Sequence, residues 1–569
     1  MQRRSKAGLS TAGAAVPYGR RGWVKFAAFG LALALTAGAC GGDDKKSDND
    51  GGSDTTIPTS DKPAGKPTPG GELTYSVEAD ASGGYCLPTA QLAAGGIQIA
   101  NAVYDSLFVF DKDFKATPYL AESSSWNPEY TSLTIKLRQG VTFHDGTPLN
   151  SEIVKLNLDV SRGDAEATAK TGLSPLLFIF VFQNIASIDA PDDSTVVINT
   201  KVPWPALPEF LASGRNGIVG MSQLMAGTDG CKDQFNGTGP FKVDSWTPNV
   251  EMKLSKNPNY WRKDADGVQL PYLDKLNFKP IEGGPARFDA LDGNTIQAGH
   301  WSTGTIFTQI QEDDRFQLTA EAEGHKEVAY GLVNVAKAPL DDIEVRKHMA
   351  MAIDRETLND INSEGKFKVA DQPFDTGVIG YVDDVDTIPY DPDAAAAFFE
   401  GKNLEVKLAY ATDPTTKAIA EEVKAELNEV GVTVNITDKD QATLINQALG
   451  GDFNILLWRN HPGADPDTQY NWWHSGSPVN FGKINDPEID RLLDEGRSEI
   501  DPAKRKTIYQ DLSRAFATGA YNQWNWYTEW GIGSYKSVHN LTGATLPDNS
   551  PGAGMTWGWH LLTEAWVDQ

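Results

Sequence analysis

Three cysteines in 569 residues are too few for a fold stapled by disulfides. Basic residues are also short, with 50 Lys and Arg against 77 Asp and Glu for a formal charge of -27. Six of the basic ones (Arg3, Arg4, Lys6, Arg20, Arg21, Lys25) lie in residues 1–39, which carry no acid, so the remainder holds 44 against 77, or -33. That excess excludes a surface built to track phosphate backbones, and no nucleic-acid partner is expected. Long apolar runs are missing too. The uncharged stretch Phe26 to Gly42 is shorter than the about 20 residues a membrane-spanning helix needs. With 40% hydrophobic and 22% charged residues, the composition is that of a soluble globular chain, and its length suggests about three to four domains.

Catalytic signatures are absent as well. There is no G-x-x-x-x-G-K-[ST] phosphate loop, no G-x-G-x-x-G after a strand and no G-x-S-x-G nucleophile elbow. The eight histidines (144, 300, 325, 348, 461, 474, 539, 560) include no pair at helical ligand spacing. No cofactor, metal or catalytic residue is therefore expected, and the chain reads as a non-enzyme.

What is present begins with an address. The basic stretch ending at Lys25, the Ala- and Leu-rich run after it and the small residues before Cys40 read as a signal peptide over residues 1–39. Leu35-Thr36-Ala37-Gly38-Ala39-Cys40 resembles a bacterial lipoprotein box, in which Cys40 becomes the lipidated first residue. Ordinary cleavage after Ala39 is the competing reading. Arg20-Arg21 also resembles a twin-arginine signal. Residues 41–70 are almost all Gly, Asp, Lys, Ser, Thr and Pro, with Ile57 the one large apolar residue, and together with Cys40 they cannot bury enough surface to offset their ordering entropy. They form a tether, placing the body outside the cytoplasmic membrane. In that oxidising compartment, Cys86 and Cys231 read as one disulfide, with two buried thiols as the competing view.

The body from Gly71 shows α/β periodicity without repeats. Leu133, Ile135 and Leu137 alternate with polar residues as a half-buried strand, and Asn150 caps a helix with stripe Ile153, Leu156, Val160. A second helix opens after Pro339 with Asp341 as expected cap, Asp342 and Arg346 pairing on its outer face. Strand 404–413, the helix bearing Ile419, Val423 and Leu427, the stop at Gly431 and strand 432–436 make a βαβ unit, hence a parallel sheet.

Several segments resemble the solute-binding protein family 5 of ABC transporters. They are AVYDSLFVFD (Ala102–Asp111), LTIKLRQGVTFHDGTPLNSE (Leu133–Glu152), NGTGPF (Asn236–Phe241), NPNYW (Asn257–Trp261), VNVAKAPLDDIEVRKHMAMAIDRE (Val333–Glu356), DPDTQY (Asp465–Tyr470) and NDPEIDRLL (Asn485–Leu493). They follow family order across most of residues 71 to 540. The resemblance implies a two-lobed periplasmic-binding-protein-like fold of the large type II variety, with mixed sheets and a discontinuous first lobe. Lobe 1 would take 71–327 with 531–569 returning to it, and lobe 2 would take 328–530.

It further implies a monomeric, lipid-anchored, extracytoplasmic receptor that captures a peptide or similar small polar solute between the lobes. The solute would pass to ABC permease subunits. Alternatives are a non-peptide solute (an organic or aromatic acid, an oligosaccharide or a nickel complex), a secreted hydrolase, and an adhesion module. In peptide-binding relatives, an Asp three residues past a strand-ending Trp pairs with the peptide amine; here the count from Trp458 lands on His461. Asp465 or Asp467 either restores that acid or makes the turn around Pro466. Position in the family also points to Glu78, Tyr85, Trp458, Arg459 and Asn460 as cleft residues. Trp524 and Trp526 alternate onto one strand face and offer a semi-polar pocket floor.

Overall fold

The computed structural model describes Pro58 and residues 65–569 apart from 82, 91, 176, 177, 461 and 462. The leader, Cys40, most of the tether and His461 lie outside the described residues, as does the side chain of Asn460.

Three larger sheets organise the body. The first has seven strands in the order Phe316–Ala320, Gly531–Tyr535, Ala298–Trp301, Glu72–Val77, Lys275–Pro280, Glu251–Lys256 and Phe241–Thr247. The second has five: Val432–Lys439, Leu404–Ala411, Ile455–Asn460, Glu327–Val333 and Asn522–Thr528. The third is an antiparallel four-stranded sheet from residues 121–200 with its own core around Trp204, Phe182 and Ile198. The first two are mixed. Glu72–Val77 runs parallel to both its neighbours, and Leu404–Ala411 runs parallel to Val432–Lys439 and Ile455–Asn460.

The βαβ unit follows its sequence signals closely. Val406 and Leu408 are buried, and Asp413 caps helix Pro414–Glu429 by accepting from the Thr415 and Thr416 amides. Gly431 ends it at φ 92°, a conformation that favours glycine. Asn150 caps Ser151–Ser161 as expected, accepting from the Ile153 amide at 3.0 Å.

The helix after Pro339 differs from expectation. It spans Ile343–Met351 and is capped by Asp342, not Asp341. Asp342 is therefore not an ion-pair partner of Arg346. Arg346 is buried and donates to the carbonyls of Leu340, Gly519 and Ala520. The last two end helix Pro502–Gly519, whose final carbonyls lack intrahelical partners and draw the cation inward.

The chain passes between the first two sheets twice. It leaves Phe316–Ala320 and enters Glu327–Val333 across residues 321–326, then returns from Asn522–Thr528 to Gly531–Tyr535 across Glu529 and Trp530. Glu327 and Thr528 are register partners, so the two passages lie side by side. Cys86 and Cys231 are bonded within the seven-stranded part, 145 residues apart in sequence. No helix among the described residues is long and apolar enough to cross a membrane.

Candidate functional site

Beside these passages, groups from both sheets converge. The Ile455–Asn460 strand sends Arg459 toward the end of Glu72–Val77, where Nη2 donates to Glu78 at 3.0 Å and Nη1 donates to Ser302 Oγ at 2.7 Å. Arg459 Nε lies 3.6 Å from Glu327 Oε2, and its guanidinium lies 4.6 Å from the centre of the Trp530 ring. Trp530 Nε1 donates to the same Glu327 oxygen at 2.9 Å. Behind Glu78, His300 Nε2 accepts from its backbone amide at 3.0 Å, which leaves Nδ1 to donate to the Gly558 carbonyl at 2.6 Å.

The charges tune one another. Burial works to raise the Glu78 carboxyl, but Arg459, His300 and Arg287 outweigh it and hold the pKa below its ordinary value. Burial raises Glu327 despite Arg459 and the Trp530 hydrogen bond. Burial also pulls His300 down to about 4 against the opposing pull of Glu78, so this imidazole is neutral at pH 7.

A second junction lies farther along. Asp467, fully buried, accepts from Trp204 Nε1 at 2.6 Å and Arg497 Nε at 2.8 Å. Trp204 belongs to the core beside the four-stranded sheet, so this carboxylate joins two parts of the fold. Its neighbour Asp465 caps the short helix Pro466–Gln469 and pairs with Arg505, whose Nη2 donates at 2.6 Å. Asp465 is therefore corrected from candidate solute ligand to structural anchor: both its oxygens are committed.

Two other expectations change. Tyr85 is 1% exposed, donates its hydroxyl to Asp80 at 2.6 Å and packs against Phe235 and Trp246, so it belongs to the core and not to a cleft edge. Trp524 and Trp526 do not share a face. Ala329 pairs with Trp526 while the next residue, Tyr330, pairs with Trp524, so Asn525 is the extra residue of a β-bulge. Trp524 packs on Tyr330 in one core and Trp526 lies in another, across the sheet. Trp458 is half-buried and lines a small cavity with Tyr330, Trp472 and Phe481. Glu327, Trp204 and the joining role of Asp467 carried no sequence signal, since each depends on what lies hundreds of residues away in the chain.

Comparison with known proteins fits this geometry. The family model for bacterial extracellular solute-binding proteins, family 5, middle region, matches residues 115–481. The glutathione-binding protein GsiB of Pectobacterium atrosepticum is 25% identical over 433 residues, 73% of this chain and 80% of that protein. Among solved structures, the chain superposes on AgaA of A. tumefaciens R10, in complex with agropinic acid, with TM-score 0.76 and 24% identity over 88% of this chain and 99% of that one. DppA of Helicobacter pylori, in complex with the peptide STSA, gives TM-score 0.78 and 19% identity over 88% and 99%. The fold is thus that of two-lobed periplasmic binding proteins, and the Arg459–Glu78 contact runs from the five-stranded sheet to the end of a strand of the seven-stranded one.

Proposed function

The chain belongs to the bacterial extracellular solute-binding proteins of family 5, and from that premise we propose that it closes two lobes around a peptide or similar small polar solute and delivers it to an ABC importer. The observation that carries this reading is the meeting of Glu78 and Ser302 from one lobe with Arg459 from the other. Polar groups drawn from both lobes can select a closed form, because only closure brings both sets to one solute. GsiB and DppA, named for or crystallised with peptides, support a peptide solute.

Binding without bond-making accords with the site, where the arginine, carboxylates and tryptophan hold one another and His300 has both ring nitrogens engaged. Glu78, Trp458, Arg459, Asn460 and His461 remain our proposed lining, whereas Trp524 and Trp526 are buried in the two cores. We further assign lobe 1 to 71–327 with 531–569, lobe 2 to 328–530, a lipid anchor at Cys40 and a monomeric state. A thermal-shift series with glutathione, di- to pentapeptides, an opine acid and nickel–histidine tests the reading. Peptides should raise the melting temperature by several degrees. Stabilisation by nickel–histidine alone, or by none of these compounds, would sink it.

A further inference from the structure

The strand Phe316–Ala320 is the outermost of the seven-stranded sheet, paired on one side with Gly531–Tyr535. In an antiparallel pair the backbone groups of successive residues point alternately toward the partner and away from it. The Glu321 amide donates to the Trp530 carbonyl at 2.9 Å and the Lys536 amide to the Arg315 carbonyl at 3.1 Å, so the odd-numbered residues face the partner. Phe316, Leu318 and Ala320 therefore turn theirs to the outer edge. The Phe316 amide meets its own turn, donating to the Asp313 carbonyl at 3.0 Å. The Ala320 amide donates to the Pro58 carbonyl at 2.9 Å. A sheet edge is a template for a further strand, and here the chain's own leading segment sits on its last position.

The direction of that segment follows from where its far end is held. Just before Glu72–Val77, the Gly70 amide donates to the Tyr272 carbonyl at 2.8 Å and Gln569 Nε2 donates to the Pro69 carbonyl at 3.0 Å. Across the sheet, Tyr75 is level with Ala298, Ala298 with Ser534 and Ser534 with Gln317. Ala320 therefore stands about eight residue levels beyond Gly70 and three strands to the side, some distance of about 30 Å at about 3.3 Å per residue and about 4.8 Å per strand. The chain from Pro58 to Gly70 reaches only about 40 Å when fully extended. A path that drops from Ala320 beside its strand leaves enough length to cross to Gly70, and it runs opposite to Phe316–Ala320.

We propose that the tether adds itself to this edge as an antiparallel strand, with Pro58 opposite Ala320 and Ser60 opposite Leu318. Ser60 then exchanges both backbone hydrogen bonds with Leu318. Thr55, Thr56, Ile57 and Thr59 are β-branched residues suited to such pairing, and Ile57 is the one large apolar residue of 41–70. Pro58 has no amide to donate, which fits it to the end of an added strand and not to its middle. Docking moves the point at which the tether leaves the body from Gly71 to the start of the passage 321–326 between the two sheets. The chain left between Cys40 and the body is then 41–57, whose reach is about 60 Å where 41–70 would span about 100 Å. The added strand also covers an edge on which another copy could pair.

Engineered disulfides and hydrogen exchange resolved to single amides test the docking on the full chain. The register sets Asp61 opposite Gln317 in a non-hydrogen-bonded pair, where Cα atoms approach to about 4.5 Å, close enough for a disulfide. Oxidation of Asp61→Cys, Gln317→Cys should form an intramolecular bond at least ten-fold faster than oxidation of Asp48→Cys, Gln317→Cys, whose first cysteine lies upstream of the docked segment. Ser60→Pro removes the amide that donates to the Leu318 carbonyl. It should speed exchange at Leu318 and Ala320 at least ten-fold and leave Thr319, whose amide faces Gly531–Tyr535, at its wild-type rate. Equal cross-linking rates, a bond formed between two copies, unchanged exchange at Leu318 and Ala320, or Thr319 exchange rising with them would overturn the proposal. None of these readouts depends on a solute, so the docking stands or falls apart from the receptor reading.

Discussion

The carboxylate of Glu78 lies 3.0 Å from Nη2 of Arg459, two residues 381 positions apart that belong to different sheets. This pair ties the seven-stranded sheet directly to the five-stranded one. Both side chains keep partial solvent access (20% for Glu78, 32% for Arg459), which screens the attraction, so its contribution is about 1–2 kcal/mol. Glu78→Gln should therefore raise the open fraction several-fold. Small-angle scattering is expected to report a larger radius of gyration, and an unchanged radius would show that other contacts hold the lobes together.

Asp467 answers both Trp204 and Arg497 without access to water. Asp467→Leu leaves a buried guanidinium without its counter-charge, a loss of about 3–5 kcal/mol. Asp467→Asn keeps an acceptor and should lose less. Urea denaturation of the two variants measures the difference, and near-equal midpoints would contradict the role given to the charge.

His300 makes stability pH-dependent in a defined direction. Its folded pKa of about 4 is below the ordinary 6.5, so the unfolded chain takes up the proton first as pH falls. The stabilisation is complete above 6.5 and is lost as pH drops toward 4, by at most roughly 3 kcal/mol. Glu78, Arg287 and Arg459 are the charges acting on it, and protonation at Nε2 also breaks the acceptor bond from the Glu78 amide. Glu209, pushed up to about 7 by burial and then by Asp465, works in the opposite sense, gaining stability as pH falls from 7 toward 4.5. The comparison that isolates His300 is wild type against His300→Gln. Melting temperature between pH 7 and 4.5 should fall more steeply in wild type.

The Cys86–Cys231 bond closes a loop of 145 residues, which restricts the unfolded chain by about 3–5 kcal/mol in the chain-entropy account. A reducing agent, or the Cys86→Ala, Cys231→Ala double variant, should lower the melting temperature by several degrees. Replacing Cys40 by Ser should shift the protein from the membrane fraction to the medium, as expected of a lost lipid anchor.

Local signals carried much of this fold. Asn150 and Asp413 are caps whose short side chains reach amides two or three residues on, and the alternation of Leu133, Ile135 and Leu137 needs no distant partner. Arg346 was misplaced because helical spacing reports only the neighbours on its own helix, whereas its partners are carbonyls some 170 residues later. The two tryptophans misled for a related reason: strict alternation holds until a bulge, and nothing in Trp-Asn-Trp marks one. The candidate site was half legible. Glu78 and Arg459 could be named by family position, but their pairing with each other could not.

Because both connecting segments spring from adjacent, hydrogen-bonded strands, the freedom of the halves is narrow. Sliding or shearing would have to break the ladder that begins at Glu327 and Thr528, whereas swinging about a line through that pair leaves it whole. The molecule is in effect a door on two leaves of one hinge, and its motion should be a single rotation.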